Sequence, residues 1–120
     1  MVALPAARVI LTAMSMDIDT AARLFAELGN RTRLDVLLLL IKAGPEGLSI
    51  GDIQAELDIP LSTLSFHLRG LSGAGLIEQE KQGRSVICRP NFTAMNEAMQ
   101  FLKRECCVGV APKARRGQAA

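Results

Sequence analysis

The stretch Leu61-Ser62-Thr63-Leu64-Ser65-Phe66-His67-Leu68-Arg69-Gly70-Leu71-Ser72-Gly73-Ala74-Gly75 decides the fold. Leu61, Leu64, Leu68 and Leu71 recur at the alternating spacing of a helix that buries one face. Ser62 is a residue type favoured at helix N-caps, and Gly73 with Gly75 closes the segment. Ser62, Thr63, Ser65, Phe66, His67 and Arg69 remain for the other faces. A helix clamped on one side and polar on the other is what reading a DNA major groove requires.

Working toward the N-terminus, Asp58-Ile59-Pro60 reads as a turn, and Ser49 with Asp52 three residues later resembles a capping pair. A short helix between them ends near Leu57 and is buried through Ile53 and Leu57. Gly44-Pro45-Glu46-Gly47 breaks the chain before it. The segment Arg31–Ala43, capped by Asn30, is apolar almost all round, which predicts a helix at the centre of the core. An earlier helix capped by Asp19 or Thr20 runs to about Leu28, with Ala22, Leu24, Phe25 and Leu28 on its apolar face.

Toward the C-terminus, residues 76–81 and 85–89 alternate around Gln82-Gly83-Arg84, the pattern of a β-hairpin. Pro90-Asn91 stops the second strand. Asn91 or Thr93 caps a last helix reaching about Cys107, with Phe92, Met95, Met99, Leu102 and Cys106 along one stripe. The predicted fold is mainly α with a small β-hairpin: a winged helix-turn-helix.

Two short helices joined by a tight turn and followed by a hairpin form a DNA-reading unit. Ser62, Thr63 and Ser65 carry hydroxyls for phosphates or base edges, Phe66 suits a thymine methyl, and Arg69 suits a phosphate. Gln54 can support that surface, and Lys81 and Arg84 stand at the hairpin tip. Each has a plainer reading beside this one. Ser62 is a cap in any case, Ser65 can be a small residue facing the turn, His67 can be a structural histidine, and Lys81 and Arg84 can be solvated hairpin charges. The whole arrangement, rather than any one residue, supports DNA binding.

Bulk properties set the limits. The chain has 120 residues, one domain's worth, and its aromatic content of 3% leaves a core of aliphatic side chains suited to helix packing. Net charge is only +2, so any affinity for DNA must come from local placement of charge. Arg8, Lys113, Arg115 and Arg116 lie near the ends. Without these four, the 14 basic residues become 10, against 12 acidic. The basic tail either touches phosphates or is simply solvated. The three cysteines, Cys88, Cys106 and Cys107, are too few and odd in number for a disulfide scaffold, which points to a cytoplasmic protein. Residues 2–14 mimic an export signal poorly, because they carry a single Arg. Residues 1–16 are expected to be an extension, either helical or preceding the true start. Residues 17–108 form the DNA-binding and dimerisation domain, and 109–120 a flexible basic tail. No apolar run is long enough to span a membrane.

Residues Leu28-Gly29-Asn30-Arg31-Thr32-Arg33-Leu34 resemble the opening of the core helix in the ArsR/SmtB family of metalloregulatory repressors. Residues 62–71 resemble the family's recognition helix, and Ala74-Gly75-Leu76-Ile77 with Gln82-Gly83-Arg84 its wing. The resemblance covers about residues 19–107. It implies a homodimer joined through the first and last helices, bound to double-stranded operator DNA with an inverted repeat and released by an inducer. A common arsenic site of the family needs cysteines on the helix before the recognition helix, and residues 49–57 have none. A common zinc site needs His on the last helix, which also has none.

Cys106-Cys107-Val108-Gly109 resembles the Cys-Cys-x-Gly ending of another arsenic-responsive group, which implies trivalent arsenic, inorganic or methylated, or antimony as the inducer, with no constitutive cofactor. Cys88 either completes a three-sulfur site or is a buried small hydrophobe that leaves a two-sulfur site. A thiol redox switch on the same fold is the alternative, and zinc would need more ligands than one protomer gathers. An enzyme finds little support: there is one His, no glycine-rich phosphate loop and no cluster of carboxylates. A winged helix that binds only protein is separated from a DNA reader by the effect of Arg69→Ala on duplex affinity.

Overall fold

The computed structural model describes residues 16–111. Five helices and three short strands follow in the order α1 (Ile18–Leu28), α2 (Arg31–Ala43), β1 (Leu48–Ser49), α3 (Ile50–Leu57), α4 (Leu61–Gly73), β2 (Ile77–Gln82), β3 (Ser85–Pro90) and α5 (Phe92–Arg104). Together they form the expected winged helix-turn-helix. The sheet is antiparallel in the order β1-β3-β2.

Polar caps set most boundaries. Asp17 accepts from the Thr20 amide at 2.8 Å, Asn30 from that of Arg33 at 3.1 Å, and Ser49 from that of Asp52 at 3.0 Å. Asn91 does the same for Ala94. Each satisfies one of the amides that a helix start leaves without a partner. The cap of α1 thus lies earlier than Asp19 or Thr20; Asp19 instead sits in the first turn, where the helix dipole favours its charge. In α4 the capping residue is Pro60, which offers no side-chain bond, so Ser62 lies inside the first turn and caps nothing.

The end of α4 is a Schellman motif. The Leu76 amide donates to the Leu71 carbonyl at 2.9 Å and the Gly75 amide to that of Ser72 at 3.0 Å. Gly75 holds φ +78° there, and the fully buried Leu71 and Leu76 supply the accompanying apolar contact.

The core gathers Leu24, Val36, Leu37, Leu40, Ile53, Leu64, Leu68, Leu71, Leu76 and Ile77. Helix α2 crosses its centre but is not buried all round, since Leu34 and Leu38 are exposed. Leu61 and Ala22 are exposed too, and Ala21 takes the buried place expected for Ala22. Strand β1 pairs Leu48 with Cys88 and Ser49 with Ile87, an addition to the predicted hairpin. Its approach depends on Gly47 at φ +76°, because a Cβ there would collide with the Cys88 carbonyl.

Helix α5 ends at Arg104, before the cysteines. Its inner face is Ala94 and Ala98, with Met95 and Phe101 half-buried. The predicted stripe of Phe92, Met99 and Leu102 faces outward. The expectations for residues 1–15 and 112–120 lie outside the described residues. Among those described, no helix is long and apolar enough to cross a membrane.

Candidate DNA interface and thiol pair

Helix α4 is fixed by Leu64, Leu68 and Leu71. That anchoring leaves Ser62, Thr63, Phe66 and Arg69 exposed and Ser65 half-buried. Ser65 joins Ser49, Arg84 and Ser85 in lining a cleft of about 410 Å³ between the starts of α3 and α4 and the hairpin. Gln54 is half-buried on α3. Lys81 and Arg84 stand exposed at the hairpin end, where β2 and β3 close from Gln82 to Ser85 through Gly83-Arg84. Gly83 at φ +62° occupies the first position of this two-residue loop, where tight hairpins require glycine or a residue tolerant of that angle. Glu80 accepts from Arg89 Nη1 at 2.6 Å, and this pair with the Gln82 bond holds its carboxyl below the usual range.

Of the two roles expected of His67, the geometry supplies the structural one. It is 7% exposed, and its Nδ1 accepts from Arg33 Nε at 3.2 Å. Burial first, and the Arg33 charge second, hold its pKa below the ordinary 6.5. A side chain so enclosed and bonded through Nδ1 is a structural partner of Arg33. Sequence reasoning missed Arg33 and Glu27 as part of this cluster. Arg33 carried a signal as a member of the core-helix motif, but its pairing across α1, α2 and α4 had none.

The cysteines divide into two classes. Cys88 lies in the sheet, fully buried, and receives a hydrogen bond from Gln79 Nε2 at 3.6 Å. Burial pushes its thiol pKa up, outweighing the Gln79 bond that acts the other way. Cys106 and Cys107 are exposed in the turn after α5, their sulfurs 3.4 Å apart. The reversal comes from Cys107 at φ +60°, in the left-handed region. Neighbouring residues on a continuous helix would not share a face. Among the described residues no group of three or more His, Cys, Asp or Glu side chains gathers as a metal site. Cys88 therefore does not join the pair within one protomer.

A helix-turn-helix domain family matches residues 28–80, which span α2 to the wing. The transcriptional activator HlyU of Vibrio cholerae is 28% identical over 97 residues, 81% of this chain and 87% of that protein. An HTH-type transcriptional regulator of Methanocaldococcus jannaschii is 37% identical over 65 residues, covering 54% of this chain and 71% of its own. Among solved structures, an ArsR-like transcriptional regulator from Rhodococcus sp. RHA1 superposes with a TM-score of 0.62 at 26% identity, over 72% of this chain and 78% of its own. A homodimeric winged helix-turn-helix DNA-binding domain from Mycobacterium bovis, described as a possible ArsR-family regulator, superposes with a TM-score of 0.59 at 27% identity, over 75% and 83%. With the capped core helix, the clamped reading helix and the wing all in place, the chain belongs to the ArsR/SmtB family of winged-helix, DNA-binding transcriptional regulators.

Proposed function

We propose that this regulator is a homodimeric repressor that binds an inverted-repeat operator and releases it when trivalent arsenic, inorganic or methylated, binds Cys106 and Cys107. The observation that carries this reading is the exposed pair of sulfurs 3.4 Å apart. Two thiols so placed can close on one thiophilic atom, each displacing a hydroxide that leaves as water. Methylarsenite suits a two-sulfur site especially well, since its carbon already fills one position.

Exposed Ser62, Thr63, Phe66 and Arg69 on α4, with Ser65 and Gln54 beside them and Lys81 and Arg84 on the wing, form the operator-facing surface. Dimerisation through α1 and α5 is supported by the outward Ile18, Phe92, Met99 and Leu102. A two-fold dimer reads a two-fold operator. Metalloid binding just beyond α5 then alters that helix's end and the spacing of the two reading helices. It shifts DNA affinity only by binding the two arrangements unequally.

The test is a panel on one duplex that the protein selects from a random pool. Arsenite, methylarsenite, antimonite, zinc and hydrogen peroxide are titrated into the complex at fixed salt. Release by an arsenical at concentrations where zinc and peroxide have no effect is the expected result. Release by peroxide alone would replace metalloid sensing with a redox switch, and tighter binding on adding arsenite would overturn repression.

A further inference from the structure

Among the described residues, a polar cluster holds the reading helix to the rest of the fold in addition to its leucines. Arg33, in the first turn of α2, extends its guanidinium between α1 and α4. Its Nη1 donates to Glu27 Oε2 on α1 at 2.6 Å, and its Nε donates to His67 Nδ1 on α4 at 3.2 Å. Arg33 Cζ also lies 5.2 Å from the centroid of the Phe66 ring, which meets the His67 ring edge-on at 5.3 Å. Gly70 makes this possible: a Cβ there would sit 3.0 Å from Arg33 Cζ and Nε and from Glu27 Oε2. One side chain thus ties α1, α2 and α4 together and backs the exposed ring of Phe66.

The Arg33 bond requires His67 to be neutral with Nδ1 unprotonated. A proton on Nδ1 removes the acceptor and brings two cations into contact. Arg33 of α2 is the charged group touching His67, and Glu27 of α1 stands behind it. Arg69 on α4 itself, Arg31 and Asp35 on α2, Arg23 on α1 and Glu78, Glu80 and Lys81 on β2 are exposed to solvent.

We propose that Arg33 is the positioning residue of the reading helix, and that its bond to His67 is a proton-sensitive latch: neutral His67 holds α4 and Phe66 for operator binding, and protonated His67 lets them go. This rests on α4 being the DNA-contacting helix. It deepens that reading by naming what keeps the helix in place. It also predicts a trend against simple electrostatics, because an added positive charge would otherwise strengthen DNA binding.

His67 is the only histidine of the chain, so its imidazole signals in NMR are unambiguous. In the free wild-type protein, Nδ1 is expected to be unprotonated at neutral pH, with a titration midpoint below 6.5. Affinity for the selected duplex should fall about tenfold for each pH unit below that midpoint, as one proton must be lost on binding. Glu27→Gln leaves the Arg33 charge without its counterion and moves both midpoints down. Arg33→Gln raises the imidazole midpoint, weakens binding at all pH values and flattens the profile. His67→Gln keeps a carbonyl acceptor that does not titrate, so its affinity persists in acid.

A protonated Nδ1 at neutral pH, or an acid loss of affinity that Glu27→Gln does not shift, overturns the latch; so does an unchanged acid loss in His67→Gln. If His67→Gln does not fold, the wild-type and Glu27→Gln profiles decide. Arg69→Ala separates the two levels. Unchanged duplex affinity in that variant removes α4 as the reader, whereas the imidazole titration of free protein tests the latch without DNA.

Discussion

The sulfurs of Cys106 and Cys107 stand 3.4 Å apart although the two residues are adjacent in the chain. The left-handed backbone at Cys107 and the end of α5 at Arg104 bring them together. A helix continued through both residues would have turned them to different faces.

Thiol chemistry should therefore come in two classes. In native protein, an aromatic disulfide reagent is expected to modify Cys106 and Cys107 quickly and Cys88 only on unfolding. Burial both screens Cys88 and raises its pKa. Three equally fast thiols would contradict the placement of Cys88. Cys88→Ser should cost stability, by burying a hydroxyl in an apolar place, while leaving the response to arsenite intact.

Two glycines of α4 should respond in opposite ways to alanine. Nothing lies within 4 Å of a Cβ at Gly73, so Gly73→Ala should stabilise the protein by about 0.5 to 1 kcal/mol through lower chain entropy. Gly70→Ala would press on Arg33 and Glu27 at 3.0 Å, and their ion pair and the His67 bond resist displacement. A loss of about 1 kcal/mol is expected there instead, of the size of an ordinary destabilising substitution. Urea unfolding of both variants checks the pair; equal gains would show that the Arg33 cluster yields freely.

The outward face of α5 should govern association and not folding. Met99 and Leu102 are each 60% exposed, and they continue from an apolar groove that Leu24, Phe25, Leu28 and Met95 line between α1 and α5. Met99→Ser with Leu102→Ser is expected to leave far-UV circular dichroism unchanged while sedimentation equilibrium shows a monomer. A dimer of wild-type strength would place the interface elsewhere.

Much of the architecture was legible because each helix carries its own punctuation. Asn30, Ser49 and Asn91 cap the helices that their positions predict, and the Gly75 ending of α4 is local chemistry. The leucine spacing of α4 identified its buried face apart from Leu61, which lies at the first, least enclosed turn. Strand β1 was not legible: two residues have no period, and its one requirement, a glycine beside the Cys88 carbonyl, exists only once β3 is in place. Which of its two readings His67 takes was not legible for the same reason. Its spacing beside Leu68 is compatible with the rim of either face, and Arg33, 34 positions away in sequence, draws it inward. The outward stripe of α5 was readable as apolar, but a single chain's sequence does not say whether a stripe meets its own core or a second copy.

The central claim, that the pair after α5 is where the signal enters, is tested most directly by fluorescence anisotropy of a selected operator duplex bound to wild-type protein and to Cys106→Ser/Cys107→Ser, titrated with arsenite and methylarsenite. The expected result is equal starting affinity, release of DNA by wild type near one arsenical per protomer, and no release by the double variant. Full release by the double variant at the same concentrations would contradict the claim.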